Sequence, residues 1–112
     1  MTLEVLVSAV NQQIRNLAER MHLESDAVII NQTDHFAYEE YKHQDNIIRG
    51  YNFAEKGVGL SRNNALLRAK GDIVLFSDED IIYDRGYADK VLKEFEKHPE
   101  ADMLLFNIRV GE

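Results

Sequence analysis

Residues 57–80 read GVGLSRNNALLRAKGDIVLFSDED, and this stretch predicts a helix followed by a buried strand. Ser61 is a plausible N-cap and Gly71 a C-terminal stop, so the helix is expected to run through Ala69. The segment Asp72–Ser77 then carries four large apolar side chains and runs directly into three acids. A helix that leads into a buried strand is typical of a largely parallel α/β sheet.

The residues before this stretch predict further strands and another helix. Leu3–Val10 is short, apolar and rich in β-branched residues, which favours a buried strand. Ala27–Ile30 predicts a second buried strand, and Asn46–Phe53 a short strand that suits a sheet edge. Residues 35–45 show no clear period and are predicted to be irregular or to form a short helical turn. Between the first two strands, apolar residues recur on one face of a helix, namely Ile14, Leu17, Ala18 and Met21.

The residues after the acids predict one more helix and one more strand. Asp84 is a plausible cap for the helix, and Pro99 ends it before a last strand, Asp102–Ile108. The apolar face of this helix consists of Tyr87, Val91, Leu92 and Phe95. The alternation of strands and helices predicts an α/β fold, with a mostly parallel sheet of about four to five strands and helices on both faces.

Length and composition limit the class of protein. At 112 residues with 45% hydrophobic content, the chain suffices for one small domain over residues 1–112. The formal charge is −7, with the acids spread along the chain, so a nucleic-acid partner is disfavoured. There are no cysteines, and the four histidines lack metal-ligand spacing, which argues against thiol chemistry and zinc sites.

The sequence also bears on location. No apolar run approaches the roughly 20 residues that span a bilayer. The residues after Met1 lack the basic-then-apolar order of a signal peptide. We therefore expect a cytoplasmic protein without a transmembrane segment, with peripheral attachment to a membrane left open.

Polar residues follow three of the predicted strands, at the sheet edge where open α/β folds bind ligands. These patches are residues 8–12, 31–34 and 77–80, and we expect them to lie side by side. Because side chains alternate in an extended segment, Asp78 and Asp80 are predicted to point one way and Glu79 the other. Two carboxylates on one side can share Mn²⁺ or Mg²⁺ with phosphate oxygens. On spacing alone, a merely solvated acidic turn is an equal alternative.

The start of the predicted helix before the acids is a second candidate for ligand binding. Gly57 and Gly59, followed by Ser61 and Arg62, would place backbone N–H groups and a guanidinium at the positive end of a helix. A phosphate could bind there. The alternative is a glycine turn beside a surface arginine.

Taken together, residues 57–80 resemble the central signature of family 2 glycosyltransferases of the GT-A fold. In that family a glycine-leucine-serine-arginine-asparagine helix leads into an apolar strand and a D-x-D-type motif, and this chain shows the same order. The resemblance implies a Rossmann-like GT-A fold. It also implies a nucleotide-sugar donor, with a UDP-sugar as the first expectation, and a divalent metal, Mn²⁺ or Mg²⁺.

The resemblance further implies roles for individual residues. It makes Asp80 the expected metal ligand and Asp78 a contact to the metal or to the ribose. Arg62 would lie near the nucleotide or its diphosphate.

Two features depart from the family pattern. Many relatives carry an acidic pair that touches the base where this chain has Asn31 and Gln32, whose amides can still bond a base as donors and acceptors. Ser8 would border the nucleotide, but the first strand lacks the proline-x-tyrosine-asparagine of many relatives. The identity of the base and the detailed contacts after the first strand therefore stay open.

In the family, the acceptor pocket and the general base lie beyond the acidic strand. The resemblance therefore implies that this chain is the donor-binding half of a glycosyltransferase, in truncated form, and transfer by the chain alone stays open. A non-catalytic nucleotide-binding or interaction module is the alternative. A phosphoacceptor receiver domain fits poorly, because residues 7–12 contain no acid. A truncated sheet would expose a strand edge through which copies could associate.

Overall fold

A computed structural model describes residues 2–54 and 58–98 of the chain. The strands are β1 Leu3–Val10, β2 Asp26–Gln32, β3 Ala37–His43, β4 Asn46–Phe53 and β5 Ile73–Asp78, and the helices are α1 Ile14–Arg20, α2 Val58–Arg68 and α3 Tyr87–Lys97. The predicted last strand, Asp102–Ile108, lies outside the described residues, as do Pro99 and residues 56–57 of the glycine turn.

The strands form a single sheet in the order β3-β4-β2-β1-β5. β1 pairs in parallel with β2 on one side and with β5 on the other, and β2 pairs in parallel with β4. Among the described strands, β3 alone runs antiparallel, against β4. The chain thus moves outward from β1 and returns on its opposite side as β5, which makes β1 the topological switch point. The predicted mostly parallel, Rossmann-like α/β sheet is confirmed.

Helices cover both faces of the central strands. On one face, Val5 and Val7 of β1 pack with α1 and α3, whose Leu17 and Val91 are buried. Leu6 points to the other face and packs with Ala65 of α2. The predicted apolar faces of α1 and α3 both lie in the first of these clusters. Because both faces of β1 and β2 are covered along most of their length, both strands are continuous apolar runs rather than alternating ones.

Residues 37–43 form a strand, so the prediction of irregular structure there is wrong. β3 and β4 make a hairpin whose turn residues, Gln44 and Asp45, have φ values of 51° and 68°. A two-residue type I′ turn requires positive φ at both positions and usually shows Asn-Gly in the sequence, which this chain lacks. The side chains of β3 alternate between half-buried and exposed, without an apolar face. β4 pairs with β3 on one side and β2 on the other, so it is an interior strand. Its predicted place at the edge of the sheet is therefore also wrong.

The segment with the acids differs from the prediction in two details. β5 is only partly buried, because it is the outer strand of the described sheet, and Phe76 is 41% exposed. α2 begins at Val58, so Ser61 lies inside the helix and is buried instead of capping it.

The start of α3 also differs from the prediction. The helix begins at Tyr87 after Gly86, whose φ of 81° favours glycine, and Asp84 is not the cap. The Gly86 N–H donates to Glu24 Oε1 at 2.8 Å. A carboxylate from a distant part of the chain therefore bonds the backbone where this helix starts.

Two expectations concern the surface of the protein. Within the two described ranges, no helix is both long enough and apolar enough to cross a membrane. β3 and β5 are the outer strands of the described sheet. Association of copies through such an edge stays a prediction.

Two neighbouring tyrosines, with ring centroids 4.4 Å apart, differ in how their hydroxyls are bonded. The Tyr87 hydroxyl shares a 2.7 Å hydrogen bond with Ser25 Oγ and accepts one from the Glu24 N–H at 2.9 Å. Burial raises the pKa of Tyr83 to about 12, an effect that the nearby Ser77 hydroxyl offsets only in part. Within the described part of the chain, no atom meets the geometry of a hydrogen bond to the Tyr83 hydroxyl.

Removal of these two hydroxyls should have opposite consequences. We expect Tyr87→Phe to lower the free energy of unfolding by about 1–3 kcal/mol, because it leaves the buried partners of that hydroxyl unbonded. Tyr83→Phe should be neutral or stabilising, since it removes a buried hydroxyl to which the described residues make no well-formed hydrogen bond. Urea denaturation followed by circular dichroism measures both variants, and equal losses would contradict this account.

Candidate functional site

A cavity of about 740 Å³ opens at the carboxyl ends of β1, β2 and β5. Open α/β sheets bind ligands at this edge, and the cavity lies at the switch point between β1 and β5. The volume suits a small-molecule site. The wall is formed by Ser8, Ala9, Val10, Gln12, Arg20, Gln32, Asp78, Glu79, Asp80 and Ile82. The three polar patches noted in the sequence therefore contribute to one cavity.

Four of the predicted site residues lie on this wall, and three of them, Ser8, Asp78 and Asp80, come from β1, β5 and the turn after β5. Ser8 and Asp78 are register partners on the adjacent parallel strands β1 and β5, so their side chains lie on the same face of the sheet. β5 ends at Asp78, and Asp80 follows in a turn. Both aspartates are exposed to solvent, so their carboxylates are accessible to a ligand.

Glu79 also lines the cavity, so the prediction that it points away is wrong. The alternation of side chains stops with the strand at Asp78, and residues 79–80 form a turn. Glu79 Oε1 accepts a hydrogen bond from the Val10 N–H at 3.0 Å. Glu79 Oε2 lies 3.7 Å from Nη2 of Arg20. Glu79 therefore ties the acidic turn to the end of β1 and to α1.

Asn31 lies beneath the cavity and not on its wall. Its side chain is 1% exposed, with Oδ1 accepting from the Gln12 N–H at 3.0 Å and Nδ2 donating to the Gln12 carbonyl at 2.6 Å. Nδ2 also donates to Asn52 Oδ1 at 2.9 Å. These bonds hold the loop after β1, where Asn11 has a φ of 50°. Asn31 thereby fixes the position of Gln12, which does line the cavity.

Gln32 lies on the wall, at the carboxyl end of β2. Its Nε2 donates a hydrogen bond to Ser61 Oγ. Ser61 is buried inside α2, so this helix orients a wall residue through a partly buried contact.

Arg62 lies away from the cavity wall. Its guanidinium carbon is 5.9 Å from the centroid of the Phe76 ring, a partly exposed side chain of β5. Among the described residues, the basic side chain that lines the cavity is Arg20, the last residue of α1. A contact from Arg62 to a nucleotide or diphosphate stays a prediction from the resemblance.

Three residues of the site were not singled out by the sequence. Gln12 could have been, because it falls within the polar patch that follows β1. The sequence predicts Ser61 as a helix cap, whereas it lies inside α2 and contacts Gln32. Arg20 gave no signal, since a basic residue in the last turn of a helix is common and favourable wherever it occurs.

The carboxylates on the cavity wall suit a divalent metal whose other ligands are phosphate oxygens and water. In residues 2–54 and 58–98, no three His, Cys, Asp or Glu side chains are arranged to hold a metal ion. Mg²⁺ is commonly bound by one or two protein carboxylates together with phosphate oxygens and water. Asp78 and Asp80 provide two such carboxylates on one wall, so they fit a hard divalent cation that is bound jointly with a diphosphate.

The sheet order and the cavity at its switch point define an α/β domain of Rossmann-like type, consistent with a GT-A fold. The sequence model for Glycosyl transferase family 2 matches residues 3–111. Because this match spans nearly the whole chain, the chain belongs to glycosyltransferase family 2, which confirms the resemblance. No curated protein and no solved structure matches the chain significantly.

Proposed function

We propose that the cavity binds the nucleoside diphosphate of a nucleotide-sugar donor, together with Mn²⁺ or Mg²⁺, for transfer of the sugar to an acceptor. Membership of the family supports a glycosyltransferase-type domain. The observation that carries the proposal is the placement of Asp78 and Asp80 beside Ser8 at the switch point of the sheet. A UDP-sugar is the first donor to test.

Different parts of the wall suit different parts of the donor. Asp78 and Asp80 would hold the metal, which supplies positive charge to the diphosphate leaving group when it is bound. Ser8 offers a hydroxyl to the ribose or to a phosphate from the strand beside Asp78. Gln32, oriented by Ser61, carries the amide groups that a base can bond.

Asn31 has a supporting part in this proposal. Its buried amide already bonds both backbone groups of Gln12, so it would act on the donor through the loop after β1. The expected contact between Asn31 and the base is therefore replaced, in the proposal, by a positioning role.

Titration calorimetry with UDP tests the proposal directly, and it suits a chain that has no tryptophan for fluorescence. With Mn²⁺ present, we expect UDP to bind one site. Chelation of the metal should weaken that binding by about tenfold or more, a change of about 1.4 kcal/mol or more. Titrations with GDP and ADP identify the preferred base. The proposal fails if none of the three diphosphates binds with either Mn²⁺ or Mg²⁺.

A further inference from the structure

Arg20 connects the two segments that flank the cavity. Its Nη1 donates to Gln12 Oε1 at 3.1 Å, in the loop after β1. Its Nη2 donates to the Glu79 carbonyl at 3.4 Å, in the acidic turn after β5. The side chain remains 49% exposed, on the wall of the cavity.

Arg20 is a basic residue on a cavity wall whose other described charged side chains are acidic. The wall carries Asp78, Glu79 and Asp80, in a protein with a formal charge of −7. A diphosphate would add further negative charge, and one divalent cation does not balance three carboxylates and a diphosphate. A basic side chain on the same wall lowers the electrostatic cost of bringing these groups together.

We infer that Arg20 contacts the diphosphate of the donor directly. This inference rests on the proposed donor-binding function. A guanidinium has five N–H donors in a rigid fork that matches phosphate oxygens, and the bonds to Gln12 and Glu79 described above use two of them. Of Arg20 and Arg62, only Arg20 is among the described residues that line the cavity.

A purely structural role for Arg20 makes a different prediction. A basic residue in the last turn of a helix interacts favourably with the helix dipole, and the contact with Glu79 at 3.7 Å adds a partly exposed ion pair. In that case, loss of Arg20 would change stability, or would affect all ligands of the cavity equally. If Arg20 contacts the diphosphate directly, the loss of affinity on substitution of Arg20 should increase with the number of phosphates in the ligand.

Calorimetric titration with Mn²⁺ and three probes, uridine, UMP and UDP, separates these roles. Arg20→Gln is expected to weaken UDP binding by about tenfold or more, to weaken UMP less, and to leave uridine unchanged. Arg15→Gln is the matched control, since Arg15 lies on the same helix but pairs with Glu39 at 3.5 Å, off the cavity wall. The control should bind all three probes as the wild type does.

Glu79→Gln tests whether Arg20 acts only through Glu79. Glutamine retains an acceptor for the Val10 N–H but removes the charge beside Arg20. Direct contact predicts that this variant weakens UDP binding less than Arg20→Gln does, because the guanidinium is still present to reach the diphosphate. If Glu79→Gln weakens UDP binding as much as Arg20→Gln does, Arg20 only positions the acidic turn and the inference is wrong.

The outcomes for the inference and for the proposed function are distinct. If wild type binds none of the nucleoside diphosphates, the proposed function fails and the inference fails with it. If wild type binds UDP with Mn²⁺ and Arg20→Gln binds it equally well, only the inference fails. Equal weakening of uridine and UDP also overturns it. Should Arg20→Gln not fold, Arg20→Lys replaces it, because lysine keeps the charge but not the fork, and an unchanged UDP affinity would then overturn the inference.

Discussion

Glu4→Gln is expected to lower the free energy of unfolding by about 3–5 kcal/mol. Glu4 Oε2 and Arg49 Nη2 are 2.9 Å apart, and the two side chains are 5% and 9% exposed. Loss of the carboxylate leaves a buried guanidinium without an opposing charge, which costs more than the loss of an exposed pair. Domains are stable by only about 5–15 kcal/mol, so this variant should lose a large share of its stability.

The pair also fixes the carboxyl end of α2. Arg49 Nη2 donates to the Arg68 carbonyl at 2.7 Å, and Glu4 Oε1 accepts from the Lys70 N–H at 2.6 Å. The first bond satisfies a carbonyl that the end of a helix leaves unpaired, and the second holds the chain just after the helix. α2 also carries Ser61, which bonds Gln32 at the carboxyl end of β2. The ion pair near the amino end of β1 therefore helps to orient Gln32.

Chemical denaturation of four variants tests this prediction: Glu4→Gln, Arg49→Met, the two combined, and Arg15→Gln. Arg15→Gln, which breaks the exposed pair with Glu39, should cost less than about 1 kcal/mol. The double variant Glu4→Gln, Arg49→Met should lose less than the sum of its single substitutions, since it leaves no unpaired charge. A loss below about 1 kcal/mol for Glu4→Gln would show that the pair contributes little to stability.

The parts of the fold that the sequence predicted are those whose signal is local. β1 and β2 are continuous apolar runs because both of their faces are covered, and no knowledge of distant residues was needed to find them. The grouping of Ser8, Gln32 and Asp78 at one edge followed from a general property of parallel sheets. β3 was missed because it is an edge strand whose turn lacks glycine.

The parts that the sequence did not predict depend on contacts between distant segments. Arg20 reaches the cavity because α1 ends beside a turn that comes 59 residues later. Asn31 is absent from the wall because its amide bonds the backbone of Gln12, 19 residues earlier, in the loop after β1. Neither contact leaves a periodic pattern in the sequence. The sequence therefore indicates which polar residues lie near the ligand-binding edge of the sheet. It does not show which of them line the cavity and which only support residues that do.

Asp78→Asn and Asp80→Asn are each expected to weaken Mn²⁺-dependent binding of UDP by about 10–100-fold, equivalent to about 1.4–2.8 kcal/mol. Each substitution keeps the size of the side chain and removes one of the two carboxylates that fit a hard cation. Both residues are exposed, so neither change creates a cavity or buries a polar group. Thermal unfolding of the variants should accordingly match that of the wild type.

The same titrations in the presence of a chelator separate metal binding from a direct contact with the donor. Without metal, the carboxylates repel the diphosphate, so both variants should bind UDP as well as wild type or better. Asp89→Asn removes an equal charge from the exposed first turn of α3, off the cavity wall, and should change neither measurement. Equal weakening of UDP binding with and without Mn²⁺ would identify the two aspartates as hydrogen-bond acceptors for the donor and would exclude them as metal ligands. If the variants bind UDP more weakly than wild type with Mn²⁺ but equally or more tightly with the chelator, the two aspartates share a metal with the diphosphate.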